Sequence, residues 1–268
     1  MSEYHERVGT VACDILDAIR ERLEKHAVTH EEYRAAWAWL IELAGSGEVP
    51  LFLDVFFEAA VERITHDGKP GSQGTVQGPY YLEDAASLTE RPYVMPMRAD
   101  EPGDSILFTG RVRGLDGTPL SGVAVDMWQA GHDGTYSGFV GDAPPRNLRG
   151  RMITDADGTF RVRTILPAPY QIPHAGPTGA FLAMLGRHSW RPAHFHFMLD
   201  GDAYEPLTTQ LYFRGDPWLH GQGDVVGAVK DSLIIDIEEA TDEAAAAEFG
   251  LPVQHLATSY EFVLRPAD

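Results

Sequence analysis

The sequence predicts a mainly β protein, an antiparallel β-sandwich preceded by an α-helical N-terminal region. The helical region and its connection are expected over residues 1–100 and the sandwich over 101–268. Up to about residue 68, apolar residues recur at three- and four-residue steps, which is helical spacing. A break in composition follows, with Gly68, Gly71, Gly74, Gly78 and Pro70 close together. Beyond it, tight-turn sequences separate short runs rich in β-branched and aromatic residues, the pattern of strands.

In the first part, Val8, Val11, Ile15, Ile19 and Leu23 place one apolar face on a first helix. Thr29 and Glu32 have capping-box spacing at the start of a second, where Tyr33, Trp37, Leu40, Ile41 and Ala44 continue the stripe to Gly45. Phe52, Val55, Phe56, Ala59 and Ile64 mark a third. In the second part, Gly114-Leu115-Asp116-Gly117 and Asp155-Ala156-Asp157-Gly158 read as hairpin turns. Strands are expected at 106–112, 123–128, 159–165, 194–199, 208–213, 232–237 and 259–264. Residues 238–249, acidic and alanine-rich, read as a solvated helix. Asp155 and Asp157 lack the further oxygen ligands and closing Glu of a calcium loop.

A chain of 268 residues with 44% hydrophobic residues can bury a full core. Its net charge of -19 excludes roles that depend on holding a phosphate backbone or an anionic leaflet. Any small anion it handles must therefore meet positive charge placed locally. The single cysteine, Cys13, cannot close an intramolecular disulfide, and its apolar-periodic surroundings predict a buried thiol in a reducing cytoplasm. Glu3, Glu6, Arg7, Asp14 and Asp17 interrupt the first twenty residues, so neither a signal-peptide core nor membrane insertion is expected.

The sharpest local signal is Arg191-Pro192-Ala193-His194-Phe195-His196. On a strand, residues two apart point the same way, so His194 and His196 can offer two imidazoles to one metal, or both face solvent. Zinc would recruit Cys, Asp, Glu or a third His, but the one cysteine lies in the helical part and no HExxH sequence occurs. Two tyrosines sit in constrained settings instead. Tyr136 follows His132-Asp133-Gly134-Thr135, and Tyr170 lies within Leu166-Pro167-Ala168-Pro169-Tyr170-Gln171-Ile172-Pro173. A phenol is a poor ligand while protonated, but a trivalent ion favours its anion, so two phenolates point to Fe(III). Each tyrosine can equally be a core-edge residue with its hydroxyl bonded to backbone.

These motifs, with Gly78-Pro79-Tyr80-Tyr81, Val125-Asp126-Met127-Trp128-Gln129-Ala130 and Asn147-Leu148-Arg149-Gly150 in the same order, resemble the intradiol ring-cleavage dioxygenases over most of the chain. The resemblance includes the helical N-terminal part of the catechol branch. It implies Fe(3+) held by Tyr136, Tyr170, His194 and His196, with Arg191 and Gln210 beside the metal. It also implies pocket walls from Leu51, Asp54, Val55, Tyr80, Tyr81 and the loop before Tyr136. The implied reaction cleaves catechol or a chlorinated catechol between its hydroxyl carbons with O2, giving a cis,cis-muconate. Tyr170 would take up substrate protons and Arg191 would stabilise developing negative charge.

Asn147 to Gly150 and Ala168 to Pro173 look more like the chlorocatechol branch, whereas Trp190 to His194 and Lys230-Asp231-Ser232-Leu233 are similar to hydroxyquinol enzymes too. Relatives pair through their helical parts and can hold phospholipid there. A homodimer is therefore implied, in keeping with the apolar stripe carrying Trp37. Two other readings remain: a non-catalytic sandwich module that binds a small aromatic or a lipid, and a zinc or copper enzyme using His194 and His196. Colour separates the first and elemental analysis the second.

Overall fold

The computed structural model describes residues 3–83, 85–139, 143–221 and 223–267. The chain forms two compact units, Met1–Glu48 and Val49–Asp268.

The first unit holds α1 (Glu3–Lys25) and α2 (His30–Gly45). Thr29 caps α2 as its spacing predicts: the Glu32 amide donates to Thr29 Oγ1 at 3.2 Å, and Glu32 Oε2 accepts from the Thr29 amide at 2.8 Å. The stripe of α1 forms, but Val8, Val11, Ile15 and Ile19 are exposed, and Cys13 is exposed rather than buried. Periodicity establishes that a helix has an apolar face; it does not establish that the same chain covers it.

The second unit opens with α3 (Val49–Leu53), a π-helical turn (Asp54–Glu58) and α4 (Ala59–His66). The third predicted helix is thus interrupted by one widened turn. The glycine-rich segment after it is anchored along its length, with the Ser72 amide donating to Val263 O at 2.9 Å and the Thr75 amide to Thr208 O at 3.0 Å. At Gly74 a Cβ would lie 2.7 Å from Glu62 Oε1 and 3.1 Å from Thr208 O, so glycine lets the segment lie close against both without displacing them.

One sheet runs β1 (Ala86–Ser87), β5 (Arg149–Ile153), β4 (Ala124–Gln129), β9 (His194–Asp200), β10 (Leu207–Phe213) and β11 (Ile234–Ile235). The other runs β12 (Glu238–Thr241), β13 (Gln254–Leu264), β3 (Ser105–Gly114), β6 (Thr159–Ile165) and β2 (Tyr93–Val94). A small pair joins β7 (Tyr170–Gln171) to β8 (Trp190–Arg191). The core between the large sheets takes Val125, Met127, Phe195, Phe197 and Leu211 from the first, and Ile106, Phe108, Phe160, Val162 and Phe262 from the second.

The sheets are mixed rather than purely antiparallel: β3 with β13, β2 with β6, β1 with β5 and β10 with β11 are parallel. Parallel neighbours are joined by long crossovers that leave no local turn signal. Likewise, the turns at Gly114–Gly117 and Asp155–Gly158 join no two named strands of one sheet: the first closes only a stub, an antiparallel bridge between Arg113 and Pro119, and the second is closed by the Asp155 amide donating to Thr159 O at 2.8 Å. They lead from β3 towards β4 and from β5 to β6, and each of these pairs is split between the two sheets. The acidic helix expected at 238–249 divides into edge strand β12 and α6 (Glu243–Phe249), separated by the cap Asp242. Its glutamates suit a sheet edge, which charge protects from further pairing. A further helix, α5 (Pro177–Met184), has no counterpart in the expectation. No helix among the described residues is long and apolar enough to cross a membrane.

Candidate metal centre

Strand β9 is buried on both faces, and its alternation divides it by chemistry. Phe195 and Phe197 enter the core, which turns His194 and His196 to the opposite face. Register supplies their neighbours. His196 pairs with Trp128 on β4 and with Gln210 on β10, while His194 pairs with Tyr212. Trp128 stacks on His196 with ring centroids 4.6 Å apart and planes at 12°.

The tyrosines come from two loops that touch. The turn before Tyr136 closes with the Gly131 amide donating to Thr135 O at 2.8 Å, and the Ala168 amide ties the second loop to Gly131 O at 3.1 Å. Gly134 lies at their contact with φ +80, and a Cβ there would be 2.8 Å from Tyr170 Cβ. Both the left-handed backbone and the proximity require glycine. Tyr170 pairs with Arg191 across β7 and β8.

The polar atoms converge. Tyr136 Oη lies 3.0 Å from His196 Nε2 and 3.5 Å from His194 Nε2, and the two Nε2 atoms are 3.0 Å apart. Tyr170 and Tyr136 meet edge to face at 5.3 Å between centroids. Arg191 Nη1 lies 3.5 Å from Tyr170 Oη and 3.4 Å from His194 Nε2. All four metal candidates, with Arg191 and Gln210, are buried. His194 Nδ1 faces Pro192 O at 2.7 Å, and because a carbonyl only accepts, the proton sits on Nδ1 and the lone pair on Nε2 points into the cluster.

Burial, and then the neighbouring Arg191 charge, lowers the His194 pKa to about 3. Burial, then His194 and Arg191, holds His196 well below its ordinary value. Both imidazoles are therefore neutral, the form that binds metal. Burial raises Tyr136 well above the ordinary phenol; it raises Tyr170 too, against the pull of Arg191. Two phenols and two aligned imidazoles without a carboxylate among them suit a hard cation of high charge, the one addition that would favour both phenolates. The set fits a metal.

Arg191 is enclosed and paired with Asp224 by two bonds of 3.0 Å. Burial opposes its charge, but Asp224 and the phenols of Tyr170 and Tyr212 raise the guanidinium well above its ordinary value. Gln210 Oε1 accepts from Arg191 Nη2 at 2.8 Å. The sequence reading missed Asp224, which stands 33 positions from its partner with no motif around it.

Beside the cluster opens a cavity of about 260 Å3, lined by Tyr80, Thr135, Tyr136, Pro169, Tyr170 and Trp190 among others. That is at the small end of ligand pockets, which start near about 300 Å3, and suits a single ring. Of the expected wall residues, Tyr80 lines it, stacked on Tyr136 at 4.5 Å and with its phenol raised to about 12, chiefly by burial. Leu51 and Val55 pack in the apolar cluster around Tyr136 and Tyr170. Asp54 is held above its ordinary value by burial and by Glu58, opposed by Arg191. Tyr81 packs on Trp128 at 5.0 Å and donates to Asp126 at 3.4 Å. Asp133, Gly134 and Thr135, from the loop before Tyr136, line it as expected, whereas Pro169 and Trp190 were not singled out as walls, though each adjoins an expected site residue.

Two family models match the chain in succession: "Catechol dioxygenase N terminus" over residues 5–73 and "Dioxygenase" over residues 76–266. A chlorocatechol 1,2-dioxygenase of Rhodococcus opacus is 41% identical over 254 residues, covering 93% of this chain and 98% of that protein. A hydroxyquinol 1,2-dioxygenase of a Rhizobium species is 32% identical over 252 residues, covering 91% and 84%. The crystal structure of 3-chlorocatechol 1,2-dioxygenase from Rhodococcus opacus superposes with a TM-score of 0.88 at 42% identity, covering 98% of this chain and 100% of that one. Motif order, fold and extent of identity agree, and the chain belongs to the intradiol ring-cleavage dioxygenases.

Proposed function

We propose that this protein cleaves catechol or chlorinated catechols between the hydroxyl carbons, using O2 and non-haem Fe(III) held by Tyr136, Tyr170, His194 and His196. The product is a cis,cis-muconate. The observation that carries this reading is the convergence of two phenols and two neutral imidazoles beside a cavity of about 260 Å3. The 41% identity to a chlorocatechol 1,2-dioxygenase over 93% of the chain supports the substrate class.

Ferric iron, when bound, supplies a trivalent charge that favours the deprotonated oxygens of both tyrosine and diol. The chain's own groups do the rest. His194 and His196 stay neutral and hold position, because burial keeps protons from their Nε2 atoms. Tyr170 Oη takes a proton from the incoming diol, lying on the open side of the cluster beside Arg191. Arg191 Nη1 faces the same ground and stabilises negative charge that develops on the ring and oxygens. Gln210 braces Arg191, with its own Nε2 donating to Val76 O at 2.6 Å. Tyr80 provides a ring face against the substrate, and Leu51, Asp54, Val55 and Tyr81 shape the walls behind it.

Residues 1–100 serve in this reading as the pairing and connecting part and 101–268 as the iron-binding part. The exposed stripe of α1 favours a homodimer with room for phospholipid along it. A cytoplasmic setting suits a chain with a single cysteine. Incubation with catechol, 4-chlorocatechol and hydroxyquinol under 18O2 tests the reaction: a muconate carrying two 18O atoms is expected, with catechol or chlorocatechol turned over faster. Hydroxyquinol turned over fastest would reassign the substrate, and no ring-opened product from any of the three would refute the reading.

A further inference from the structure

Arg191 is held so that one edge of its guanidinium is left over. Asp224 Oδ1 accepts from Arg191 Nε and Asp224 Oδ2 from Arg191 Nη2, both at 3.0 Å. The carboxylate is itself fixed, because Oδ1 accepts from the Val226 amide at 3.2 Å and Oδ2 from the Ala228 amide at 3.1 Å. Its loop is tied to the strand that carries Arg191, with the Val225 amide donating to Trp190 O at 3.0 Å. Gln210 Oε1 takes a further bond from Nη2 at 2.8 Å and accepts from Tyr212 Oη at 2.7 Å. Nε and Nη2 are therefore committed. Among the described residues Nη1 has only Tyr170 Oη at 3.5 Å and His194 Nε2 at 3.4 Å, both longer than a well-formed bond. The nitrogen with hydrogen-bonding capacity in reserve is the one that faces the reacting centre.

We propose that Asp224 is a positioning residue for ring cleavage: by engaging Nε and Nη2 together it fixes the guanidinium plane and turns Nη1 towards the bound diol. The proposal rests on the reading of Arg191 as the positive charge beside the substrate. A single bond would let the guanidinium swing, whereas a fork-to-fork pair on a carboxylate anchored by two amides sets its plane. Preorganised charge of this kind matters most where water is excluded, and a misplacement of about 1 Å can cost roughly 100-fold in rate. Stability alone is a weak reason to keep such a pair, since apolar residues of similar volume usually serve as well in a buried place.

A double-mutant cycle on the iron-loaded protein tests this, using Asp224→Asn, Arg191→Gln and the two combined. Each variant is read as kcat and KM for catechol, and as the melting temperature of the metal-free protein. Asp224→Asn is expected to lower kcat at least tenfold while KM changes less than threefold. The combined variant should match Arg191→Gln in kcat, because Asp224 acts only through Arg191. Each single variant should melt lower than the parent and the combined one should recover part of the loss, because it leaves no buried charge unpaired. A kcat for folded Asp224→Asn within twofold of the parent, or losses that multiply in the combined variant, would overturn the proposal while leaving the role of Arg191 standing. An Arg191→Gln variant with parental kcat would overturn both together. Should Asp224→Asn fail to fold, hydrogen exchange at Arg191 Nε in the unsubstituted metal-free protein decides: slow exchange by NMR supports the clamp, and exchange as fast as at an exposed arginine overturns it.

Discussion

In the proposed reaction the chemistry turns on Tyr170, whose hydroxyl lies 3.5 Å from Arg191 Nη1 and which lines the cavity while its ring packs in the apolar cluster with Tyr136. Tyr170→Phe keeps the ring and removes only the oxygen. The expected outcome is an altered visible band in the iron-loaded protein and a fall in kcat of roughly 100-fold or more, typical of losing a positioned proton acceptor. Parental colour and activity would remove Tyr170 from the ligand set. At this scale much of the site was legible. The spacing of His194 and His196 reads directly from the two-residue period of a strand. The tyrosines are conspicuous for their glycine and proline surroundings, although their pairing with the histidines came through resemblance to a family. Asp224 was not legible, because its significance lies in a loop folding back onto β8, and nothing in Gly223-Asp224-Val225 announces that.

Among the elements, α2 shows how local chemistry fixes a boundary. Glu32 accepts from the Thr29 backbone and hydroxyl, and these bonds hold its carboxyl below the ordinary 4.5. A depressed folded value means that the stabilisation is present above the unfolded pKa and is lost as pH falls through the folded one. A carboxyl-carbon NMR titration should place the Glu32 midpoint below 4.5, and Thr29→Ala should move it back up. The same substitution should cost α2 about 1 kcal/mol, seen as reduced amide protection in its first turn. An unmoved Glu32 midpoint would contradict the cap. Strand β6 was read at its true limits because Phe160, Val162 and Thr164 alternate with half-buried neighbours. Strand β12 was misread because Glu238, Glu239 and Ala240 carry good helix propensity, and pairing with β13 overrides it.

Over the whole molecule, the order of strands was the least legible feature. Pairing of β3 with β13 joins Ile106 to Leu256 and runs in register to Gly114 and Leu264, a contact across most of the sandwich sequence. Nothing local encodes it. The α1 stripe poses the same problem in reverse, with a pattern plain in sequence and no cover within the described residues. If copies of the chain supply that cover, light scattering should give twice 29.5 kDa, and Ile15→Glu, on a residue 55% exposed here, should return it to 29.5 kDa. A parent of 29.5 kDa alone would end the dimer reading. Anaerobic addition of catechol to the protein as purified, followed by air, tests the proposed ferric tyrosinate site most directly. Such a site is expected to give a coloured protein whose visible band shifts with the diol and decays in air as cis,cis-muconate forms; a colourless protein that makes no product even after ferric reconstitution would contradict it.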